Sequence, residues 1–413
     1  MGVKNRLIIM NFLQFFVWGS WLISLGGYMI VTLKFTGGQV GGIYATMGIA
    51  SLFMPALLGI MADKWINAER VLGMSHIIGA GLLFWASFVT DYATLYWIML
   101  FISMFYMPTI ALDNTVSYSI LKQKGFDVVK DFPPIRVWGT VGFITAMWVI
   151  DLFGWTVSPI QLYISSIASL SMGIYTFTMP KCPPENKSKE NSLLSSLGLD
   201  AFVLFKKKKM TIFFIFSMLL GAALQITNTF GEPFLHDFVG KFPNAFAVKH
   251  PSILMSISQI SETLFILTIP FFLYKFGIKK VMLMSMFAWI FRFGLFGIGN
   301  PENGLVFLIL SMIIYGMAFD FFNISGSLFV EMEAEPKIRA SAQGLFMIMT
   351  NGFGALIGGI GSGFIVDYFT KNGTKDWQSI WFTFSAYALI IAILFIFLFK
   401  YKHDPKTIKN IHC

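Results

Sequence analysis

Long apolar runs alternate with short polar stretches along almost the whole chain of 413 residues. A membrane-spanning α-helix needs about 20 mostly apolar residues, and runs of that length predict twelve such helices. The predicted segments are residues 7–31, 39–62, 71–90, 94–118, 134–153, 160–180, 211–235, 252–274, 280–298, 304–330, 341–369 and 378–399. The pattern therefore predicts an all-α integral membrane protein.

The longest polar stretch divides the twelve predicted segments into six and six. It predicts an N-terminal six-helix bundle (1–180), a Lys-rich cytoplasmic linker (181–210), a C-terminal six-helix bundle (211–400) and a cytoplasmic tail (401–413). Two six-helix halves around a site near the middle of the membrane are typical of transporters that expose the site alternately to each side.

Two loops strengthen the division into related halves. Residues 59–64 (Gly-Ile-Met-Ala-Asp-Lys) follow the second predicted helix, and residues 275–280 (Lys-Phe-Gly-Ile-Lys-Lys) follow the eighth. Both resemble fragments of the Gly-, Asp- and Lys/Arg-containing cytoplasmic loop of the major facilitator superfamily. Glycines spaced four apart at Gly354 and Gly358 predict that this helix packs closely on a neighbour.

The composition supports lipid as the main solvent. Hydrophobic residues make up 56% of the chain and charged residues 12%, with a mean hydropathy of +0.71. Soluble proteins carry about 25% charged residues, so a soluble enzyme is excluded. The two cysteines exclude a disulfide scaffold.

The net charge of +9 gives the orientation of the chain in the membrane. Most of the 30 Lys and Arg residues fall in loops on the side of the N-terminus. The opposite loops hold only Lys34, Lys241, Lys249, Lys371 and Lys375. Because positive charge accumulates on the cytoplasmic side, both termini are expected in the cytoplasm. The charge is then a topology signal and an attraction to anionic lipid, and no nucleic-acid binding is expected.

Five ionisable side chains are candidates for a position at membrane depth, where charge is costly and usually functional. They are Asp113, Arg136, Glu262, Arg292 and Asp320. Asp113 and Arg136 lie in the cytoplasmic thirds of consecutive helices and can pair. The long stem of Arg292 favours a structural role. Glu262 and Asp320 lie well inside their segments.

Polar and aromatic residues at helical spacing group around these charges. The groups are Arg136, Thr140 and Phe143 on the fifth predicted helix, Gln225 and Asn228 on the seventh, Gln259 and Glu262 on the eighth, and Tyr315, Phe319 and Phe322 on the tenth, with Asp320 beside them. Amides and a carboxylate bind hydroxyl groups, and aromatic rings stack on flat unsaturated faces. The stripes therefore predict a site for a small polar molecule with a planar part.

The motifs that are missing from the sequence indicate which energy source would drive transport. The sequence has no phosphate-binding G-x-x-x-x-G-K-[ST] loop, and its five histidines show no metal-ligand spacing. We therefore expect no catalysis, metal or cofactor. An ion gradient remains, and protonation of Asp320 or Glu262 is the expected route of coupling.

Five stretches of the sequence carry a resemblance to a known family. They are residues 12–21 (Phe-Leu-Gln-Phe through Trp-Gly-Ser-Trp), 53–59 (Phe-Met-Pro-Ala-Leu-Leu-Gly), 131–140 (Asp-Phe-Pro-Pro-Ile-Arg-Val-Trp-Gly-Thr), 255–265 (Met-Ser-Ile-Ser-Gln-Ile-Ser-Glu-Thr-Leu-Phe) and 319–327 (Phe-Asp-Phe-Phe-Asn-Ile-Ser-Gly-Ser). With these stretches the chain resembles the nucleoside:proton symporters of the major facilitator superfamily, over nearly its whole length.

The resemblance implies the superfamily's fold and uptake of purine and pyrimidine ribonucleosides, driven by inward proton flow across the bacterial inner membrane. We also expect a monomer, although the sequence does not give the oligomeric state. The substrate-binding residues that the resemblance implies are Arg136, Thr140, Phe143, Gln225, Asn228, Gln259, Glu262, Tyr315 and Phe319. Proton coupling falls on Asp320 or Glu262. Asp113 has no place in the family pattern, which leaves the proton-carrying acid open among the three carboxylates.

Two other functions stay open at this point. A proton-coupled sugar or oligosaccharide symporter would use similar amides and a carboxylate, although such sites often stack a sugar on Trp. A nucleoside sensor that binds without transport would use the same site. Inhibition of uptake by sugars distinguishes the first alternative, and accumulation in vesicles distinguishes the second.

Overall fold

The computed structural model describes residues 2–184 and 199–401. Parts of the predicted linker and tail, residues 185–198 and 402–413, lie outside the described residues. Contacts divide the described chain into two compact units. The first contains the described residues up to 184 together with Asn228–Pro233, and the second contains the rest of 199–401. The predicted domain boundaries stay a prediction.

The described residues 2–184 form helices joined by short loops. Their elements are α1 (Val3–Gly19), α2 (Leu25–Gly27), a π-helical turn (Tyr28–Thr32), α3 (Gly37–Lys64), α4 (Ala68–Ala86), α5 (Tyr92–Gln123), α6 (Val128–Leu152) and α7 (Ile160–Phe177). Within the first unit, α1 packs on α6, α4 packs on α7, and α3 packs on α5.

The second half adds a small hairpin between its last two long helices. Its helices are α8 (Lys208–His236), α9 (Phe246–Lys249), α10 (Pro251–Ile266), α11 (Ile269–Phe276), α12 (Ile278–Ile298), α13 (Leu305–Glu333), α14 (Arg339–Met347), α15 (Ala355–Tyr368) and α16 (Trp377–Leu398). A 3₁₀ segment (Leu199–Lys206) precedes α8, a 3₁₀ turn (Pro336–Ile338) precedes α14, and a π-helical segment (Ile348–Gly354) joins α14 to α15. Strands β1 (Thr370–Lys371) and β2 (Thr374–Lys375) pair antiparallel. In the second unit α13 packs on both α10 and α12.

Nine helical stretches in the described part of the chain are long and apolar enough to cross a membrane, or ten when α10 and α11 count as one bent span. The predicted count of twelve is therefore not confirmed. The first predicted segment, 7–31, is interrupted, because α1 ends at Gly19 and a π-helical turn follows α2. The third coincides with α4, in which Glu69 and Arg70 lower the hydropathy.

Side-chain caps fix where several helices begin. Thr36 accepts a hydrogen bond from the Gln39 amide while the Gln39 side chain accepts one from Thr36, so α3 starts with a capping box. The Asp91 carboxylate accepts from the Thr94 amide at 2.9 Å at the start of α5. Asp376 does the same for α16, where hydrogen bonds from Ser379 lower the pKa of its carboxyl group.

Prolines have different effects in different helices. Pro55 and Pro108 lie inside the continuous helices α3 and α5. In contrast, the chain bends by 55° between α10 and α11, next to Pro270. The break at Pro270 is as expected for a residue that removes a backbone donor.

Candidate functional site

The predicted stripe on α6 packs against aromatic side chains of α1. The guanidinium carbon of Arg136 lies 4.0 Å from the centre of the Phe15 ring. Phe143 is buried, and its ring meets Trp18 edge to face at 6.1 Å. Thr140, between them on the same helix, is half-buried. One face of α6 thus carries a cation and an aromatic ring, and each of them contacts an aromatic ring of α1.

Glycine makes this contact between helices possible. A Cβ on Gly139 would lie 2.7 Å from both the Phe15 ring and Nη1 of Arg136. Such distances are shorter than real Cβ contacts, so a larger residue would push Phe15 or Arg136 away. The absence of a side chain at Gly139 therefore leaves the space that Phe15 and Arg136 occupy.

The predicted pair on α8 consists of a buried Gln225 and a half-buried Asn228. A Cβ on Gly358 of α15 would lie 2.5 Å from the carbonyl oxygen of Ala222 and 2.9 Å from Cβ of Gln225. A Cβ on Gly354 would also meet the backbone of α8, at 2.7 Å. The predicted close packing at Gly354 and Gly358 is confirmed, and it fixes the backbone that carries Gln225.

The pair on α10 is anchored by the neighbouring α13. A Cβ on Gly316 would lie 2.6 Å from the carbonyl oxygen of Ser261 and 2.8 Å from the amide nitrogen of Glu262. The Ser261 hydroxyl also donates to the Ile313 carbonyl. Gln259, one turn earlier, is half-buried, and its Oε1 has no hydrogen-bond partner among the described residues. The two helices therefore meet backbone to backbone beside Glu262.

An aromatic pair and two acids lie together on α10 and α13. The rings of Tyr315 and Phe319 stack with centres 6.2 Å apart and planes at 13°. Asp320 is buried, and its Oδ2 has no hydrogen-bond partner in the described part of the chain. Glu262 is within electrostatic range of both Tyr315 and Asp320. Because two carboxylates in a poorly solvated region repel each other, one proton strongly changes the energy of this cluster.

A small cavity in the second unit borders Phe319, one ring of the aromatic pair. It lies against Phe319, which was predicted to bind a planar group, and against Asn323, one turn further along α13. Its lining residues are Leu220, Leu224, Trp289, Ala318, Phe319, Phe322, Asn323 and Thr350. The predicted aromatic stripe on α13 therefore meets this small cavity at Phe319 and Phe322.

Asp113 on α5 is fully buried. Neither of its carboxylate oxygens has a hydrogen-bond partner among the residues that the structure describes. Arg136 is within electrostatic range, but the expected pair with Arg136 does not form as a hydrogen-bonded contact. Asp113 thus stays a third acid without an assigned partner.

Comparison with known proteins decides the family. The family model described as Nucleoside H+ symporter matches residues 1–404. The chain belongs to the nucleoside H+ symporter family. This confirms the resemblance seen in the sequence.

Relatives within the family are similar over almost their whole length. The chain is 58% identical to xanthosine permease of Escherichia coli K12 over 413 residues, covering 99% of both chains. It is 56% identical to nucleoside permease NupG of the same organism, covering 98% of this chain and 97% of NupG. The crystal structure of nucleoside transporter NupG superposes with a TM-score of 0.92 over 97% of this chain and 100% of that chain, at 56% identity. The predicted fold class, an all-α membrane protein of the major facilitator superfamily, is confirmed.

The structure adds residues that sequence reasoning missed in this nucleoside H+ symporter. Trp289 meets the Tyr315 ring edge to face at 6.1 Å, and Phe15 and Trp18 contact the α6 stripe. These contacts join different helices, so spacing along one helix does not reveal them. Glu232 was also missed: it is fully buried on α8 and within electrostatic range of Tyr44.

Proposed function

We propose that the chain imports purine and pyrimidine ribonucleosides together with protons across the bacterial cytoplasmic membrane, by alternating access. The observation that carries this proposal is the cluster on α10 and α13, where a stacked aromatic pair lies beside two acids. The names of the relatives, a xanthosine permease and a nucleoside permease, support the substrate class. The distribution of Lys and Arg supports a cytoplasmic position for both termini.

Substrate binding divides between aromatic and polar side chains. The base stacks on Tyr315 and Phe319 in the C-terminal half, and Phe143 contributes a third ring. Stacking of a base on an aromatic ring stabilises binding by about 1–3 kcal/mol. The side chains that hold base edges and ribose hydroxyls are Arg136, Thr140, Gln225, Asn228, Gln259 and Glu262.

Proton coupling uses the repulsion between the acids. With both carboxylates charged, Glu262 and Asp320 repel each other, and the negative charge in the membrane opposes the change to the other conformation. A proton on Asp320 removes one of the two charges and with it the repulsion, and the loaded carrier can then turn inward. The proton leaves on the cytoplasmic side, where its concentration is lower, and the substrate follows.

The test is uptake of uridine and adenosine by purified protein in proteoliposomes, with and without an imposed pH gradient. Uptake against a concentration gradient is expected only when the outside is acidic, and sugars should not compete. Asp320→Asn should abolish uphill uptake while uridine binding is retained. Glu302→Gln, which changes an exposed acid in a loop, is the matched control and should transport normally. Uphill uptake by Asp320→Asn at the normal rate would refute the assignment of the proton to Asp320.

A further inference from the structure

Arg292 is a buried cation without an acidic partner. It lies on α12 and is 1% exposed. Across the described residues, no carboxylate oxygen lies within 4.0 Å of its guanidinium, and its Nε has no hydrogen-bond partner. Nη1 donates to the carbonyl oxygen of Ser311 at 2.9 Å and to Oγ of Ser258 at 3.4 Å. Two hydrogen bonds do not compensate a guanidinium for its lost water, so the remaining stabilisation must come from other neighbours.

Aromatic faces supply that stabilisation. The guanidinium carbon lies 4.5 Å from the ring centre of Tyr315 and 5.2 Å from that of Phe296. A cation over a ring face is attracted by the electron density of the ring, and more strongly where water is excluded. Arg292 therefore holds the Tyr315 ring from one face, while Trp289 contacts it edge on.

Hydrogen bonds between α12 and α13 also fix Arg292 relative to Tyr315. The Ser311 hydroxyl donates to the carbonyl oxygen of Arg292 at 2.8 Å, so Ser311 and Arg292 each bind the backbone of the other. Ser311 lies one helical turn before Tyr315 on α13 and shares its face. The reciprocal pair thus fixes α12 against α13 at the height of the aromatic pair.

We propose that Arg292 is a positioning residue for the nucleoside site: it holds the Tyr315 ring in the orientation that receives the base. This inference rests on the proposed function of Tyr315 and Phe319 as the stacking surface. A ring already held in place loses little freedom when the base binds, so affinity is higher than with a mobile ring. The role is exerted through Tyr315, and it leaves the coupling acids to Glu262 and Asp320.

The first test is Arg292→Lys, which keeps the charge and a donor for the Ser311 carbonyl but loses the planar group that stacks. The KM for uridine should rise about tenfold, as expected for loss of a desolvated stacking contact. The kcat should change less than about twofold, because the lost contact stabilises the bound substrate and the transition state equally. The control is Ser285→Ala, which removes a buried hydroxyl that ties α12 to the Ala318 carbonyl on α13. Ser285→Ala should leave the KM unchanged.

The second test separates positioning from general packing. In a Tyr315→Leu background, Arg292→Lys should have no further effect on the KM, because the ring that it holds is absent. Ser311→Ala loosens the same anchor and should raise the KM about threefold; it tests the proposal independently if Arg292→Lys does not fold. An equal KM effect of Arg292→Lys with and without the Tyr315 ring would overturn the inference, as would an unchanged KM in both single variants.

The two proposals fail in different ways. An unaltered chain that does not accumulate nucleosides refutes the proposed function. An unaltered chain that does accumulate them, with an unchanged KM in Arg292→Lys and Ser311→Ala, refutes only the role of Arg292.

Discussion

The contact between α8 and α15 gives a sharp prediction for Gly358→Ala. The added Cβ would lie 2.5 Å from the carbonyl oxygen of Ala222, 2.7 Å from its Cα and 2.9 Å from Cβ of Gln225. Two of these atoms belong to the backbone and cannot rotate away. To reach an ordinary contact of about 3.4 Å, the two helices must separate locally by about 0.9 Å. The separation moves Gln225, which we propose binds substrate.

The change in stability caused by Gly358→Ala has two opposing contributions. Overpacking at a helix contact costs about 1–3 kcal/mol, while alanine favours the helix over glycine by about 1 kcal/mol. Gly361→Ala is the matched control, because Gly361 lies three residues later on α15, is exposed, and has no atom within 4 Å of an added Cβ in the described structure. The gain in helix propensity from glycine to alanine is the same in both variants and cancels when they are compared. Gly358→Ala should therefore be less stable than Gly361→Ala by about 1–3 kcal/mol.

The assay is thermal unfolding of both variants in the same detergent, followed by uridine uptake. Gly361→Ala should unfold at or above the temperature of the unaltered chain and transport normally. Gly358→Ala should unfold at a lower temperature and show a raised KM for uridine. Equal unfolding temperatures and equal KM values in the two variants would refute the reasoning that α8 and α15 meet backbone to backbone.

Two further predictions concern buried polar groups of the first unit. Burial raises the pKa of the Cys182 thiol to about 11, so little reactive thiolate exists at neutral pH. In a Cys413→Ser background, N-ethylmaleimide should label folded protein far more slowly than protein unfolded in detergent, and equal rates would contradict this. His76 bridges Oε1 of Gln14 at 2.8 Å and Oγ of Ser169 at 3.1 Å. His76→Leu should lower stability by about 1–3 kcal/mol, measured by thermal unfolding; unchanged stability would show that these bonds are dispensable.

The apolar pattern predicted the helices well, but it did not predict interruptions inside them. Segment 341–369 reads as one apolar run, yet the structure contains a π-helical segment at Ile348–Gly354. A π-helical turn changes only the local hydrogen-bond spacing and needs no polar residue. The break near Pro270 coincides with a residue that removes a backbone donor, whereas Pro55 and Pro108 are accommodated within continuous helices.

Prediction of the candidate site from the sequence was limited in the same way. Spacing along one helix correctly grouped Tyr315 with Phe319, because residues four apart share a face. It could not show that Arg292 lies over Tyr315, since that contact depends on the rotation and height of α12 relative to α13. It also favoured a structural role for Arg292 from the length of its stem. Contacts between helices are decided by packing across the interface, and a single sequence carries little record of them.

The backbone contact at Gly316 makes the position of Glu262 independent of the side chains that we propose select the substrate. The main chain of α10 rests on α13 at Gly316, so two backbones, together with the Ser261 hydroxyl, set the height of Glu262. Substitutions at Gln259 or Phe319, which we propose bind substrate, can then alter which nucleoside is accepted without displacing the acid. In this arrangement, substrate preference can diverge among related transporters while the proton-driven cycle is inherited unchanged.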